Sequence, residues 1–110
     1  VPGASKNHKG IDIPAPAGTN IGAARSGTVI EVGYNSARGN YLKVQHDDGR
    51  ISLYQHCSEI LVNQGDTVSQ DQTIAKVGNT GKSGGNHLHL EIWENNSYSS
   101  AVDPTKYLVK

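Results

Sequence analysis

The chain has 110 residues, with ten Lys and Arg against ten Asp and Glu and no formal net charge. Neither a nucleic-acid footprint nor a patch for acidic ligands is expected of it. The length suits one domain, residues 1–110, with a modest core. No apolar run is long enough to span a membrane, and the lone Cys57 excludes an internal disulfide.

Taken in order, the chain opens at Val-Pro-Gly-Ala-Ser, which reads as the start of a domain processed or excised from a longer chain. In "NHKGIDIP", His8 and Asp12 are four positions apart. Gly10 between them and Pro14 after them argue against a helix. A straight strand would hold them ~13 Å apart, too far for one ion. A bend at Gly10 would close that distance, because glycine accepts φ values that other residues avoid.

Thr28–Val32 reads as a strand. Asn40–His46 and Arg50–His56 alternate with period two on either side of Asp48-Gly49, a strong hairpin signal. Thr73–Val77 is a further short strand, and His87–Trp93 alternates cleanly. Asp103-Pro104 has the cap and first-turn residues for a short C-terminal helical turn. Two stretches, "GTNIGAARSGTVIEVG" and "GDTVSQDQTIAKVG", share a pattern of Ile or Val, a turn, and a strand ending Val-Gly. They hint at a duplicated β unit. Sparse charge with many Gly, Thr, Val and Ile agrees with an all-β chain.

The stretch "GNTGKSGGNHLHLE" invites a phosphate-loop reading. Such a loop needs glycine five positions before Gly81, where Lys76 stands, and a helix after it, where a strand is expected. The chemistry therefore falls to the histidines. In a strand, residues two apart share a face and lie ~6.5–7 Å apart. His87, His89, Glu91 and Trp93 should point one way, and Leu88, Leu90 and Ile92 toward the core. The imidazoles would then stand on a face that does not need apolar burial. His8, Asp12 and one imidazole of the pair would make an N,N,O set with a fourth tetrahedral position for water, the catalytic form of a zinc site.

With these pieces together, the chain resembles the lysostaphin-like (M23) zinc metallopeptidases, the LytM-type endopeptidases of bacterial cell walls. The matching stretches are "HKGIDI", "PAGTNIGAARSGTVIEVG", "YLKVQHDDGRISLYQH", "VNQGDTVSQDQTIAKVGNTG", "NHLHLEI" and "DPTKYL". The resemblance implies an antiparallel β-sheet groove built on a duplicated β motif. It implies one zinc ion per chain on His8, Asp12 and His89, with His56 and His87 as catalytic histidines beside a metal-activated water. It implies a peptidoglycan peptide substrate, a monomeric domain, and an extracellular, cell-wall, periplasmic or phage-associated location. Cys57 stands where the family often has leucine, and Gly85-Asn86 where Gly-Pro is frequent.

Other residues have plainer readings. Glu91 is either an acceptor for an imidazole N–H or a solvated charge. Tyr54 is expected on the face of His56, lining the groove or packing. His46, on the face of Leu42 and Val44, is expected as a hairpin-end histidine. Cys57 is expected to be a packed thiol. Trp93 either stacks on substrate or covers the groove end, and Lys82 and Arg38 are ordinary loop charges. The rival functional classes are a non-catalytic wall-binding or regulatory scaffold and a phosphocarrier-like hybrid β domain. Zinc content separates them from the enzyme.

Overall fold

The period-two stretches flanking Asp48-Gly49 pair as a hairpin, and the sheet is built outward from it. In a computed structural model that describes residues 5–6, 11–78, 87–94 and 101–102, the described residues form ten strands. These are β1 (Ser5–Lys6), β2 (Ile11–Pro14), β3 (Asn20–Gly22), β4 (Gly27–Asn35), β5 (Gly39–His46), β6 (Ile51–Ile60), β7 (Thr67–Val68), β8 (Thr73–Val77), β9 (His87–Trp93) and β10 (Ala101–Val102). They form one antiparallel sheet in the order β1-β2-β9-β6-β5-β4-β7. In addition, β10 pairs with β9, and β8 pairs with both β3 and β6. Among the described residues there is no helix, and so none long and apolar enough to cross a membrane. The expected helical turn at Asp103-Pro104 and the expected bend at Gly10 lie outside the described residues.

Gly49 makes the turn of the hairpin. Its φ of 87° is open to glycine at little cost, and its N–H donates to the His46 carbonyl at 2.9 Å. Beyond the turn, β6 does not stop at His56 as expected but runs on to Ile60. It does so by changing partner. Residues 51–55 pair with β9, whereas Cys57, Glu59 and Ile60 pair with β8. His56 sits at the changeover with a φ of 63°. On the other edge, Leu42 faces Tyr54 and Asn40 faces Cys57, so Gln55 and His56 together oppose Tyr41 alone. This is a β-bulge, which shifts the alternation by one residue.

The internal repeat is realised as an exchange. The first unit supplies β3 and β4, and the second supplies β7 and β8. Neither folds on itself: β3 pairs with β8, and β4 pairs with β7.

Leu88, Leu90 and Ile92 face the main core, as their alternation predicts, among Leu42, Val44, Tyr54, Cys57 and Ile74. Each such buried aliphatic side chain contributes roughly 1.5–3 kcal/mol relative to exposure. The opposite face, expected not to need apolar burial, is nonetheless partly apolar. Ile51, Leu53 and Trp93 form a second buried cluster there, with Ile30 and Tyr41 packed against it. Covered on both sides, residues 51–57 are buried without a break.

Candidate functional site

His87 is the first residue of β9, and its N–H donates to the Gly78 carbonyl at 3.3 Å. That bridge brings the end of β8 to the start of β9, beside the point where β6 passes from one to the other. Gly78 is required by the close approach: a Cβ there would collide with the backbone nitrogen of Ser58.

His56 joins this junction because of the bulge. Without the extra residue its side chain would follow Ser52 and Tyr54 into the core. Instead its ring centroid lies 5.2 Å from that of His87 and 6.2 Å from that of His89. Its backbone N–H donates to the Arg38 carbonyl at 2.8 Å, which ties the bulge to the β4–β5 turn. The expectation that Tyr54 shares the face of His56 is corrected by the same feature. Tyr54 is 1 % exposed in the main core, with its hydroxyl 2.7 Å from Ser52 Oγ and accepting from the Ala24 N–H at 2.9 Å.

His89 occupies the middle of a row across three strands, with Asp12 of β2 as its register partner on one side and Gln55 of β6 on the other. For Asp12 the backbone alone is described, and His8 lies outside the described residues. Among the described residues no three His, Cys, Asp or Glu side chains form a metal-holding group. The structure thus brings His56, His87 and His89 together and sets Asp12 opposite His89 in register.

Glu91 is the hub beneath them. Its Oε2 accepts from His89 Nε2 and from Gln55 Nε2, each at 2.9 Å, and its Oε1 accepts from Trp93 Nε1 at 2.8 Å. Burial alone would raise its pKa. The donors from His89, Trp93 and Gln55 outweigh burial and hold the carboxyl below its ordinary value. Glu91 is therefore an anion that orients His89, not a solvated surface charge.

Beyond Glu91 the groove floor continues over Trp93, Lys43, Tyr41 and Glu31. Lys43 Nζ lies 4.6 Å from the Trp93 ring centroid and 3.3 Å from Glu31 Oε1. The Tyr41 hydroxyl donates to Glu31 Oε2 at 2.5 Å. That bond holds the Glu31 carboxyl below its ordinary value and raises the Tyr41 phenol.

Two other residues separate from the site. Cys57 is fully buried in the main core, and burial pushes its thiol up to about 12, so it is no nucleophile. His46 is on the core face with Leu42 and Val44 as expected, but it is a buried, hydrogen-bonded group. Its Nδ1 is 3.0 Å from the Ser26 carbonyl and its Nε2 2.9 Å from Ser52 Oγ.

The model of the family described as Peptidase family M23 matches residues 6–104. The chain belongs to peptidase family M23. Among its relatives, the peptidoglycan DD-endopeptidase ShyC of Vibrio cholerae is 43% identical over 95 residues, which are 86% of this chain and 22% of that protein. The catalytic domain of the antimicrobial peptidase lysostaphin from Staphylococcus simulans superposes with a TM-score of 0.88 at 35% identity, over 92% of this chain and 78% of that one. A zinc-containing peptidase from Vibrio cholerae superposes at 0.75 with 38% identity, over 77% of this chain and 26% of that one. The M23 chain thus spans about a fifth of the length of the curated relative ShyC. The all-β groove expected from the resemblance is the fold it shares with these neighbours.

Sequence reasoning passed over Gln55, Lys43 and Tyr41, and took Arg38 for a loop charge. Period-two counting could have found Lys43, which opposes Leu53 while its neighbours Leu42 and Val44 face the core. Arg38 could not be found this way, because a turn residue has no alternation to read. Lys82 lies outside the described residues.

Proposed function

We propose that this chain is a zinc-dependent endopeptidase domain that hydrolyses peptide bonds of bacterial peptidoglycan, acting as a monomer outside the cytoplasm. The observation that carries the reading is the meeting of His56, His87 and His89 at one strand junction, in an M23 fold. The relative named as a peptidoglycan DD-endopeptidase supports the substrate class. The neighbour named as a zinc-containing peptidase supports the metal.

The donor set fits zinc. His8, Asp12 and His89 would hold the ion as two imidazoles and a carboxylate, the composition of open catalytic sites. With His89 Nε2 directed to Glu91, Nδ1 is the nitrogen that would face it. When bound, zinc supplies Lewis acidity toward a carbonyl and acidifies water near neutral pH.

The chain's own groups do the rest. His56 and His87, with ring centroids 5.2 Å apart, can both reach one reacting centre. One takes a proton from the attacking water, and the other delivers a proton to the departing amine. Histidine suits both roles because its ordinary pKa lies near neutrality. The buried floor of Ile51, Leu53 and Trp93 limits water access from beneath.

Purified cell walls provide the test. The protein should release new peptide amines and no new reducing sugar ends. A strong chelator should abolish the release, and added zinc should restore it. Wall binding without amine release would assign the non-catalytic scaffold instead, and full activity in metal-free protein would end the zinc reading.

A further inference from the structure

Arg38, at the end of the β4–β5 turn, lies over the same groove floor. Its guanidinium carbon is 5.6 Å from the ring centroid of Tyr41 and 5.6 Å from that of Trp93. Two rings therefore hold the guanidinium in place. Its backbone is held too: the N–H donates to Asn35 Oδ1 at 2.6 Å, and the carbonyl accepts from the His56 N–H at 2.8 Å. The cation is anchored on the residue that also anchors the candidate catalytic histidine.

Among the described residues the guanidinium has no hydrogen-bond acceptor, and no ion pair is made by its five donors. The nearby carboxylates take their hydrogen bonds from other donors, although the Arg38 charge also helps to hold Glu31 ionised. Glu31 is taken by the Tyr41 hydroxyl and Lys43, and Glu91 by His89, Gln55 and Trp93. A half-buried guanidinium held over two rings, with its donors unmatched among the described residues, suits a planar anion that accepts two parallel hydrogen bonds.

We infer that Arg38 is a carboxylate-binding subsite of the peptide groove, selecting substrates that present a free carboxylate to its fork. The inference rests on the endopeptidase reading for the kind of ligand but not for the binding itself. From His89 to Trp93 the strand advances ~13 Å, so the carboxylate would lie within about four extended residues of the bond to be cut. It belongs either to a chain terminus or to a side chain of the peptide.

Trp93 is the sole tryptophan of the chain, and it lies under Arg38, so its fluorescence reports occupation of the subsite. The probes are cross-linked muropeptides from purified walls, used as prepared and after carbodiimide conversion of their carboxylates to carboxamides. The parent protein should bind the amidated probe roughly tenfold to a hundredfold more weakly, as loss of a bidentate charged hydrogen bond predicts. Arg38→Gln should show the same loss with the native probe and little further loss on amidation. Arg38→Lys should recover part of it. In turnover the loss should appear in KM rather than kcat.

Two synthetic stem peptides, one amidated at its C-terminus and one at its side chain, identify the carboxylate. Weakened binding of the first names a terminal group, and of the second a side-chain group. Equal binding of both to their unmodified parent overturns the inference, as does native affinity in Arg38→Gln or no binding of any probe. Carboxylate-dependent binding without amine release keeps the subsite and defeats the endopeptidase. Amine release indifferent to amidation and to Arg38→Gln keeps the endopeptidase and defeats the subsite.

Discussion

Glu91 holds three N–H donors on two oxygens at 4 % exposure. A carboxylate accepts everywhere, whereas the carboxamide of Glu91→Gln has one accepting oxygen and would turn its NH2 toward a donor. The His89 ring should then lose its fixed orientation. Zinc affinity should fall roughly tenfold to a hundredfold, the usual worth of such a partner, in competition with a chromophoric chelator. Unchanged affinity would show that Glu91 only packs. The two histidines of β9 should also part company. His89→Ala should lose zinc and activity together. His87→Ala should keep its zinc while turnover falls by roughly 10²–10⁴. Metal analysis beside rates decides, and zinc lost from His87→Ala but kept by His89→Ala would reverse the roles. That His87, His89 and Glu91 share a face was legible from strand periodicity, whereas His56 was named by the family resemblance alone. That Glu91 is buried was not legible, because the cover comes from other strands, and the bond from Gln55 on β6 was not legible either.

At the scale of the strand, the site depends on an irregularity. The left-handed φ of 63° at His56 costs a residue with a Cβ roughly 1–2 kcal/mol. His56→Gly should therefore unfold at higher denaturant than His56→Ala, by about 1 kcal/mol, though both lose the imidazole. Equal stability of the two variants would mean that the strand straightens once the histidine is gone. Gly78→Ala should destabilise the chain and displace His87, because the added methyl meets the backbone at Ser58. Regular alternation identified β8 and β9 from end to end. It misjudged β6, placing Tyr54 and His56 on one face, because a bulge leaves no mark in a period-two pattern. Nothing in "SLYQHCSEI" betrays the extra residue. It is selected by the pairing of two different neighbours, β9 and β8.

For the molecule as a whole, His46 sets a pH dependence. The Ser26 carbonyl can only accept, so Nδ1 carries the proton, and Nε2 lies against the Ser52 hydroxyl. Burial is the largest cause that lowers its pKa below the ordinary value. The unfolded chain therefore takes up a proton first as pH falls. The stability that neutral His46 contributes is full above about pH 6.5 and declines as pH drops below that value toward the folded pKa. His46→Gln should melt below the parent at pH 8, and the gap should narrow toward pH 5. A gap that stays constant across that range would exclude the linkage. That His46 faces the core was readable from Leu42 and Val44. That it is hydrogen-bonded there was not, since Ser26 and Ser52 reach it from elsewhere in the chain.

The exchanged pairing of the two repeat units also governs how the polypeptide acquires its shape. Residue 20 must find residue 76, and residue 27 must find residue 68, before the two units join, although β4 already has β5 as a local partner. The β4–β5–β6 meander is the local structure available early, with its two-sided burial still incomplete. Loop closure must precede the reward of pairing, which slows such topologies relative to locally wired ones. A chain stopped in the loop after β6 would leave β3 without its partner and β4 with β5 on one edge only. The sheet should accordingly close only when the second unit has been synthesised, and β3 should stay unpaired in any chain that lacks it.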